Sequence, residues 1–589
     1  MNQKFENIMH ECDFCVVGAG LSGMCAAIAA ARHGLSVVLM NDRPMFGGNA
    51  SSEVRMWICG ARGDNNKETG ILEDISLENI YRNPYRTYPL WDEVLFDSIK
   101  KEENITYILN CSCNDCVMDG NKIVSVTGWQ LSTQKYHTVK AKYFADCSGD
   151  SVLAPITGAE FRMGRECKTE FGESLAQNAE DNRTMGLSCL MQARETDSKR
   201  PFIPPEWARK FTKETLSDRV PMLRSPYENF WYLELGGMQN TIDDSEEIRD
   251  DLLAVAYGIW DYIKNSGDID DVDNWELDFV GFLPGRRESR RYVGDYILSQ
   301  TDIEKEGRFD DVVAYGGWTM DDHNPHGIDT TDAPNKHNPA PSPYGIPYRC
   351  LYSKNVENLF FAGRNISTTH IGMSSTRVMA TCAILGQAIG AAAFVANENA
   401  LSPRGVYENK IKELKQILME DDCYLPFNKM EMSDIMKSAE IKADGTGADN
   451  LINGYDRPIG DAENCWSGKT SDSIEIKFKN AENIESIRFI FDSDLNRLTV
   501  GARDFMPDKN CLCNTLKNPE PVHMPKTLVK DFKIELLDEN GEYTEFETVK
   551  DNRRRRVVRN IGRKCSGVKI TPLETYGSDT VRIFSINIK

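Results

Sequence analysis

The chain has no uninterrupted apolar run approaching the ~18 residues that a membrane helix needs, so no bilayer span is expected. Its first residues, MNQKFENIMHECDFCVVGAG, lack a basic stretch followed by an apolar one. A secretory leader is therefore not expected, and the reading is cytoplasmic. Positive charge is in deficit: 69 Lys and Arg stand against 90 Asp and Glu, for a net charge of −21. Such an exterior repels a phosphate backbone or an anionic membrane surface, which excludes nucleic acid as an expected partner. The 17 cysteines are odd in number and scattered, without the dense spacing of a small secreted framework, so reduced thiols are expected. Cys12 and Cys15 lie three apart on an extended segment and point to opposite faces. Cys111, Cys113 and Cys116 supply three thiols without an evident fourth, and no metal site is expected from either group.

What the chain does have is length. At 589 residues it exceeds one hydrophobic core, and two or three domains are expected. The strongest local pattern starts at Phe14: apolar FCVV, then GAGLSG, the Ala-rich MCAAIAAARHG, then SVVLMN. This reads as strand, glycine turn, helix and strand in one ~30-residue unit. Gly18 permits the tight turn, Gly20 lets the backbone approach a pyrophosphate, and Gly23 lets helix and strand pack closely. Leu21 and Ser22 open the helix, whose unpaired N–H groups favour an anion. The end of the second strand usually carries an acid for the adenosine ribose; here Asn41 holds that place with Asp42 beside it, and spacing does not choose between them.

Arg43 opens RPMFGGNASSEVRMWICGARG, Ala141 opens AKYFADCSGDS, and Asn358 opens NLFFAGRNISTTHIGMSSTRVMATCAILGQAIGAAA. In this order the three segments resemble the flavin-contacting parts of the glutathione-reductase-like FAD fold. Together they resemble the FAD-dependent oxidoreductase family over about residues 10–420. The resemblance implies noncovalent FAD between a dinucleotide-binding part and a substrate-capping part. It assigns cofactor contacts to Gly47, Gly48, Asn49, Ser51 and Ser52, with Glu53 and Arg55 at or near the reacting face. Asp146, Ser148, Gly149, Gly363 and Arg364 follow at the later segments, and Arg364 stands where many relatives have Asp. A late helix is expected from about Ser375 and Thr376, its N-terminus toward the flavin. His370, in the loop before it, is the expected proton-transfer residue, with Arg377 as substrate or flavin anchor and Arg55 as a third catalytic candidate.

The expected organisation is α/β: a Rossmann-like FAD domain from 1–154 and 346–425, an inserted α+β substrate domain at 155–345, and an all-β jelly-roll sandwich at 430–589. Within the insert, ENFWYLELGG from Glu228 reads as a strand. Ile248, Leu252, Ile259 and Ile263 fall at helical spacing and are expected in a core. GRRESRRYVGDY from Gly285 is either an anion site or an internal Arg–carboxylate network. His323 and His326 lie in a turn-rich loop that reads as a substrate lid, with metal ligation as the alternative. From SIEIKF onward, short alternating strands in order resemble the discoidin, or galactose-binding-like, family, whose members often bind sugars and also serve as packing or oligomerisation domains. The function these readings imply is hydride transfer between FAD and a CH–OH group of a small sugar-like or polyol substrate, with an unspecified electron acceptor. Flavin-linked C=C reduction or desaturation, and sugar recognition on a retained flavin scaffold, are the alternatives.

Overall fold

The computed structural model describes residues 5–217, 219, 221–495 and 509–589. The chain forms two compact units that interleave along the sequence. The first comprises Met1–Ala61, Tyr85–Leu414 and Lys509–Pro521; the second comprises Arg62–Pro84, Lys415–Asp508 and Val522–Lys589. Residues 155–345 fall within the first unit; their strands pair in small sheets apart from the dinucleotide sheet, and an isolated bridge joins Leu298 to Thr368.

The first unit is organised by a seven-stranded sheet. β1 (Asn7–Val17), β2 (Val37–Met40), β3 (Ile105–Ile108), β4 (Cys111–Asp119), β5 (Lys122–Gln130) and β6 (Lys135–Asp146) stand in the order β3-β2-β1-β6-β5-β4, and the strand Leu359–Phe361 adds to β6. The β3-β2-β1-β6 pairs and the Leu359–Phe361 pair are parallel, whereas β4 and β5 pair antiparallel. The apolar stretches Phe14–Val17 and Val37–Met40 are buried, as parallel strands covered on both faces require.

Helix α1 (Leu21–Arg32) follows β1, and two further helices, α2 (His370–Thr376) and α3 (Met379–Glu398), close the unit. The expected single helix from about Ser375 is thus two helices broken at Arg377 and Val378. The first starts at His370 because Thr369 caps it, its side chain accepting from the Gly372 N–H. α3 packs on α1 at glycine distance: a Cβ on Gly386 would lie 2.0 Å from the Ser22 carbonyl, and one on Gly390 2.4 Å from that of Ala26. α3 is also long and apolar enough to cross a membrane, which the uninterrupted-run reading missed because Thr, Gly and Gln punctuate it; most of it is buried in the fold.

In the insert, Ile248, Leu252, Ile259 and Ile263 are buried on the helix Ser245–Asn265. The expected strand from Glu228 shrinks to Glu234–Leu235. Phe230 adopts a left-handed φ of 58°, and the Leu233 N–H donates back to its carbonyl, so the chain turns instead of extending.

The second unit holds a seven-stranded antiparallel sheet. SIEIKF and SIRFIF are one continuous strand, Ile474–Phe491, and RRVVRNI joins GVKITPL in Arg556–Thr575. The polar segments between them stay in the ladder through register shifts, which sequence alternation reads as turns. At its base Arg555 is buried against Asp422 at 2.9 Å and Glu73 at 3.8 Å.

Candidate functional site

All the parallel strands end on one edge, and the loops that leave them carry the expected cofactor residues. Gly18 has a φ of +96°, and a Cβ there would meet the Cys147–Ser148 backbone at 2.5 Å. A Cβ on Gly23 would lie 1.8 Å from the Gly18 carbonyl, so both glycines are dictated by packing. Gly20 ends the turn as the N-cap of α1 and makes no side-chain cap. Gly47, at φ +101°, bridges back to Gly20, bringing the GG loop onto the first turn.

Asn41 is buried and commits its carboxamide to this arrangement: Oδ1 accepts from the Ala19 N–H, and Nδ2 donates to the Arg43 and Met45 carbonyls. Both amide hydrogens are thereby used, while the neighbouring Asp42 is exposed. Asp146 is equally committed, accepting from the Ser148 hydroxyl at 2.6 Å, the Tyr292 hydroxyl at 2.6 Å and the Leu153 N–H at 2.8 Å. Its role is to shape the Ser148–Gly149 turn. Ser51 bonds the Gly48 carbonyl, the Ser52 N–H bonds Asp92, and Asn49 donates to the Arg286 carbonyl. Ser375 is held between the Tyr344 hydroxyl and the Trp318 carbonyl.

Arg364 does not reach past Gly149; it lies against that glycine and pairs with Asp150 at 2.7 Å. Arg286 pairs with the same carboxylate. Burial would raise the Asp150 pKa, but Arg364 and Arg286 outweigh it and hold the group well below the usual carboxylate range. The rest of the arginine cluster is also internal. Arg287 lies 3.4 Å from Glu234, and Arg291 is buried between Glu166, at 2.8 Å, and Glu288. Of the two readings open for GRRESRRYVGDY, the geometry is that of the Arg–carboxylate network.

His370 is the principal correction. It is buried, with Nδ1 3.0 Å from Glu288 and Nε2 3.1 Å from Asp322. Burial alone would lower its pKa, but the two carboxylates overcome this and raise it to about 10. An imidazolium with both nitrogens occupied accepts no proton at neutral pH, so His370 is not the base. Alongside, Arg377 meets Asp321 at 3.2 Å, and buried His323 joins Glu234, at 2.6 Å, to Asp321, at 3.4 Å. His326 is exposed and does not converge with His323. All 17 cysteines are free thiols, and among the described residues no group of three His, Cys, Asp or Glu is arranged for a metal ion.

Arg55 also has a carboxylate neighbour, Asp278 at 3.7 Å, but most of its contacts are of another kind. It has a left-handed φ of 66°, costly for a residue with a side chain. Its guanidinium lies over the Phe279 ring at 3.9 Å and the Tyr88 ring at 4.7 Å, and donates to Gln192 Oε1 at 2.8 Å. Burial lowers its pKa. The next two residues are clamped in turn, Met56 by Asn229 and Trp57 by Lys509, whose ammonium is 3.1 Å from the indole centroid. Glu228 adjoins this group, and burial pushes its pKa to about 7. Sequence reading missed Gln192, Glu228, Asn229 and Lys509, which carry no local motif.

The edge fits FAD. Arg43 Nη1, Asn365 Oδ1 and Thr376 Oγ1 are buried there without a hydrogen-bond partner, and the uncapped N-terminus of α1 adds backbone donors. A glycine cradle, a helix N-terminus and unsatisfied polar atoms at the carboxyl edge of a parallel sheet define a dinucleotide-binding protein. The family described as FAD dependent oxidoreductase matches residues 13–418, and the chain belongs to it. It is an FAD-dependent oxidoreductase, and FAD is its cofactor.

No curated protein matches the chain. Among solved structures it is similar to the family 32 carbohydrate-binding module from Streptococcus pneumoniae EndoD, at 15% identity and a TM-score of 0.20, covering 27% of this chain and 99% of that one. It is also similar to the family 32 module from C. perfringens NanJ in complex with galactose, at 14% identity and a TM-score of 0.18, covering 27% and 97%.

Proposed function

We propose that the protein oxidises a CH–OH carbon of a small, neutral, polar substrate of the sugar or polyol type. One observation carries this reading: apart from Arg43 at the cofactor edge and Lys509 on Trp57, the cations described around the site are matched to the protein's own carboxylates. Arg377 is held by Asp321, Arg287 by Glu234, Arg286 and Arg364 by Asp150, and His370 by Glu288 and Asp322. A site so balanced favours an uncharged ligand over an anionic one, which would compete with carboxylates already in place.

The residues that would hold FAD are the Gly18–Gly23 turn at the pyrophosphate, Asp42 at the ribose, and Arg43, Gly47, Gly48, Asn365 and Thr376 along the remainder. Bound FAD supplies the acceptor for the hydride that leaves the substrate carbon. The hydroxyl proton has to leave as well, and Glu228 is the group we assign to it. Its pKa of about 7 lets the carboxylate form accept a proton near neutral pH. His370, fixed in its charged form, keeps Glu288 and Asp322 in place. The C-terminal sheet we take, on strand order in the sequence, as a galactose-binding-like jelly roll.

The test is an absorbance spectrum of the purified protein, followed anaerobically as sugars, polyols and hydroxy acids are added. Bleaching by neutral polyhydroxyl compounds and not by hydroxy acids is the expected result. Bleaching confined to hydroxy acids overturns the neutral-substrate reading. A flavin that no donor bleaches, but that an alkene reoxidises after chemical reduction, points to the reductive direction.

A further inference from the structure

Two side chains beside Arg55 and Met56 are buried with one polar atom each unsatisfied. Gln192, 2% exposed, gives its Oε1 to the Arg55 guanidinium, and its Nε2 makes no hydrogen bond of ordinary geometry, with the Tyr88 hydroxyl only in electrostatic reach. Asn229, 0% exposed, turns its Nδ2 to the Met56 sulfur at 3.3 Å and leaves Oδ1 without a partner. The orientation of each amide is fixed by chemistry. A guanidinium only donates, so it must meet the glutamine oxygen; a thioether only accepts, so it must meet the asparagine nitrogen. One unpaired donor and one unpaired acceptor therefore flank the same loop.

A buried polar atom without a partner costs about 1–3 kcal/mol, and in native proteins such atoms are few. The two here lie against consecutive residues of the loop that follows the GG motif, the stretch closed on its other side by Lys509 on Trp57. Their chemistry restricts what satisfies them. A carboxylate or phosphate accepts only and would leave Asn229 Oδ1 unpaired; an ammonium donates only and would leave Gln192 Nε2 unpaired. Hydroxyl groups do both.

We infer that Gln192 and Asn229 are the specificity-determining residues for the substrate's hydroxyl groups, Gln192 Nε2 donating to a hydroxyl oxygen and Asn229 Oδ1 accepting from a hydroxyl. This rests on the function proposed above and names how its substrate class is recognised. Neither residue moves the hydride or the proton. They orient the polyhydroxyl compound and reject analogues in which a hydroxyl has been replaced by hydrogen. A site built on buried hydrogen bonds rejects such an analogue by on the order of 10⁴-fold, since the loss leaves the protein's own group unpaired.

The experiment compares the wild type with Asn229→Leu and Gln192→Met, each purified with FAD. The first readout is the visible flavin spectrum and FAD content. The second is anaerobic flavin reduction by galactitol, xylitol, methyl galactoside and methyl glucoside, each beside its monodeoxy analogues. The third is binding of the same compounds to the oxidised protein by calorimetry. The expected result is unchanged FAD content, deoxy discrimination of at least 10³-fold in the wild type, and its collapse to about tenfold in one or both variants. Binding of the hydroxylated compound should weaken while that of the matching deoxy compound does not. Loss of FAD or a shifted spectrum in the variants overturns the inference by assigning the two amides to the cofactor. Undiminished deoxy discrimination in both variants overturns it while leaving the proposed function intact. If none of the four compounds binds or bleaches the wild type, the inference falls; bleaching by other hydroxyl donors would still sustain the proposed function.

Discussion

His370 shows what burial does to a residue that looks catalytic. With its pKa raised from 6.5 to about 10, the folded protein keeps a proton that the unfolded chain loses above pH 6.5. That contribution to stability is fully present below pH 6.5 and is lost as pH rises through about 10. His370→Gln should remove the cation that Asp322 and Glu288 share, leaving Glu288 with Arg291 and the half-buried Asp322 without its histidine partner, and cost about 1–3 kcal/mol, read by denaturant unfolding. The pH profile of flavin reduction should show no ascending limb near 6.5 that disappears in the variant. Glu228 behaves with the opposite chemistry and the same sign. Its pKa is raised from 4.5 to about 7 by burial, so its contribution is present below pH 4.5 and lost as pH rises through about 7. Glu228→Gln should therefore melt higher than the wild type at pH 8, with the gap closing toward pH 4.5, and should reduce its flavin at least about 100-fold more slowly.

The glycine turn was legible among the elements because everything that defines it is local: FCVV, the three glycines and the Ala-rich helix are contiguous, and each glycine's contact lies at the same sheet edge. Gly386→Ala tests the other half of that contact. Its Cβ would fall 2.0 Å from the Ser22 carbonyl, so the helices must part, at about 1–3 kcal/mol and with weaker FAD retention, both measurable by thermal melting with and without added FAD. The start of α2 was legible in principle, since Thr369 is a capping residue, but the run of hydroxyl residues around it offers several caps. What lies beyond local pattern was not. The carboxylates that hold His370 come from positions 288 and 322, and the amide that clamps Arg55 from position 192. Such partners are set by topology, which composition and spacing do not encode. The long strands Ile474–Phe491 and Arg556–Thr575 were split in reading for a related reason: exposed polar residues inside a strand resemble a turn.

On the scale of the whole molecule, each unit depends on charges buried inside it. Arg555, Asp422 and Glu73 are each 3% exposed or less in the second unit. Arg555→Leu would leave two buried carboxylates facing one another, and the expected loss is about 3–5 kcal/mol in denaturant unfolding of the full chain, larger at pH 8 than at pH 5, where the acids take up protons. The first unit is drawn from three stretches of chain, the last of them Lys509–Pro521. During synthesis the glycine turn and Trp57 therefore emerge about 450 residues before Lys509, an interval of about 20–90 s at ~5–20 residues per second. A nascent chain can wind its dinucleotide motif long before the lysine that stacks on Trp57 exists, and a product that terminates before residue 509 lacks that cation altogether.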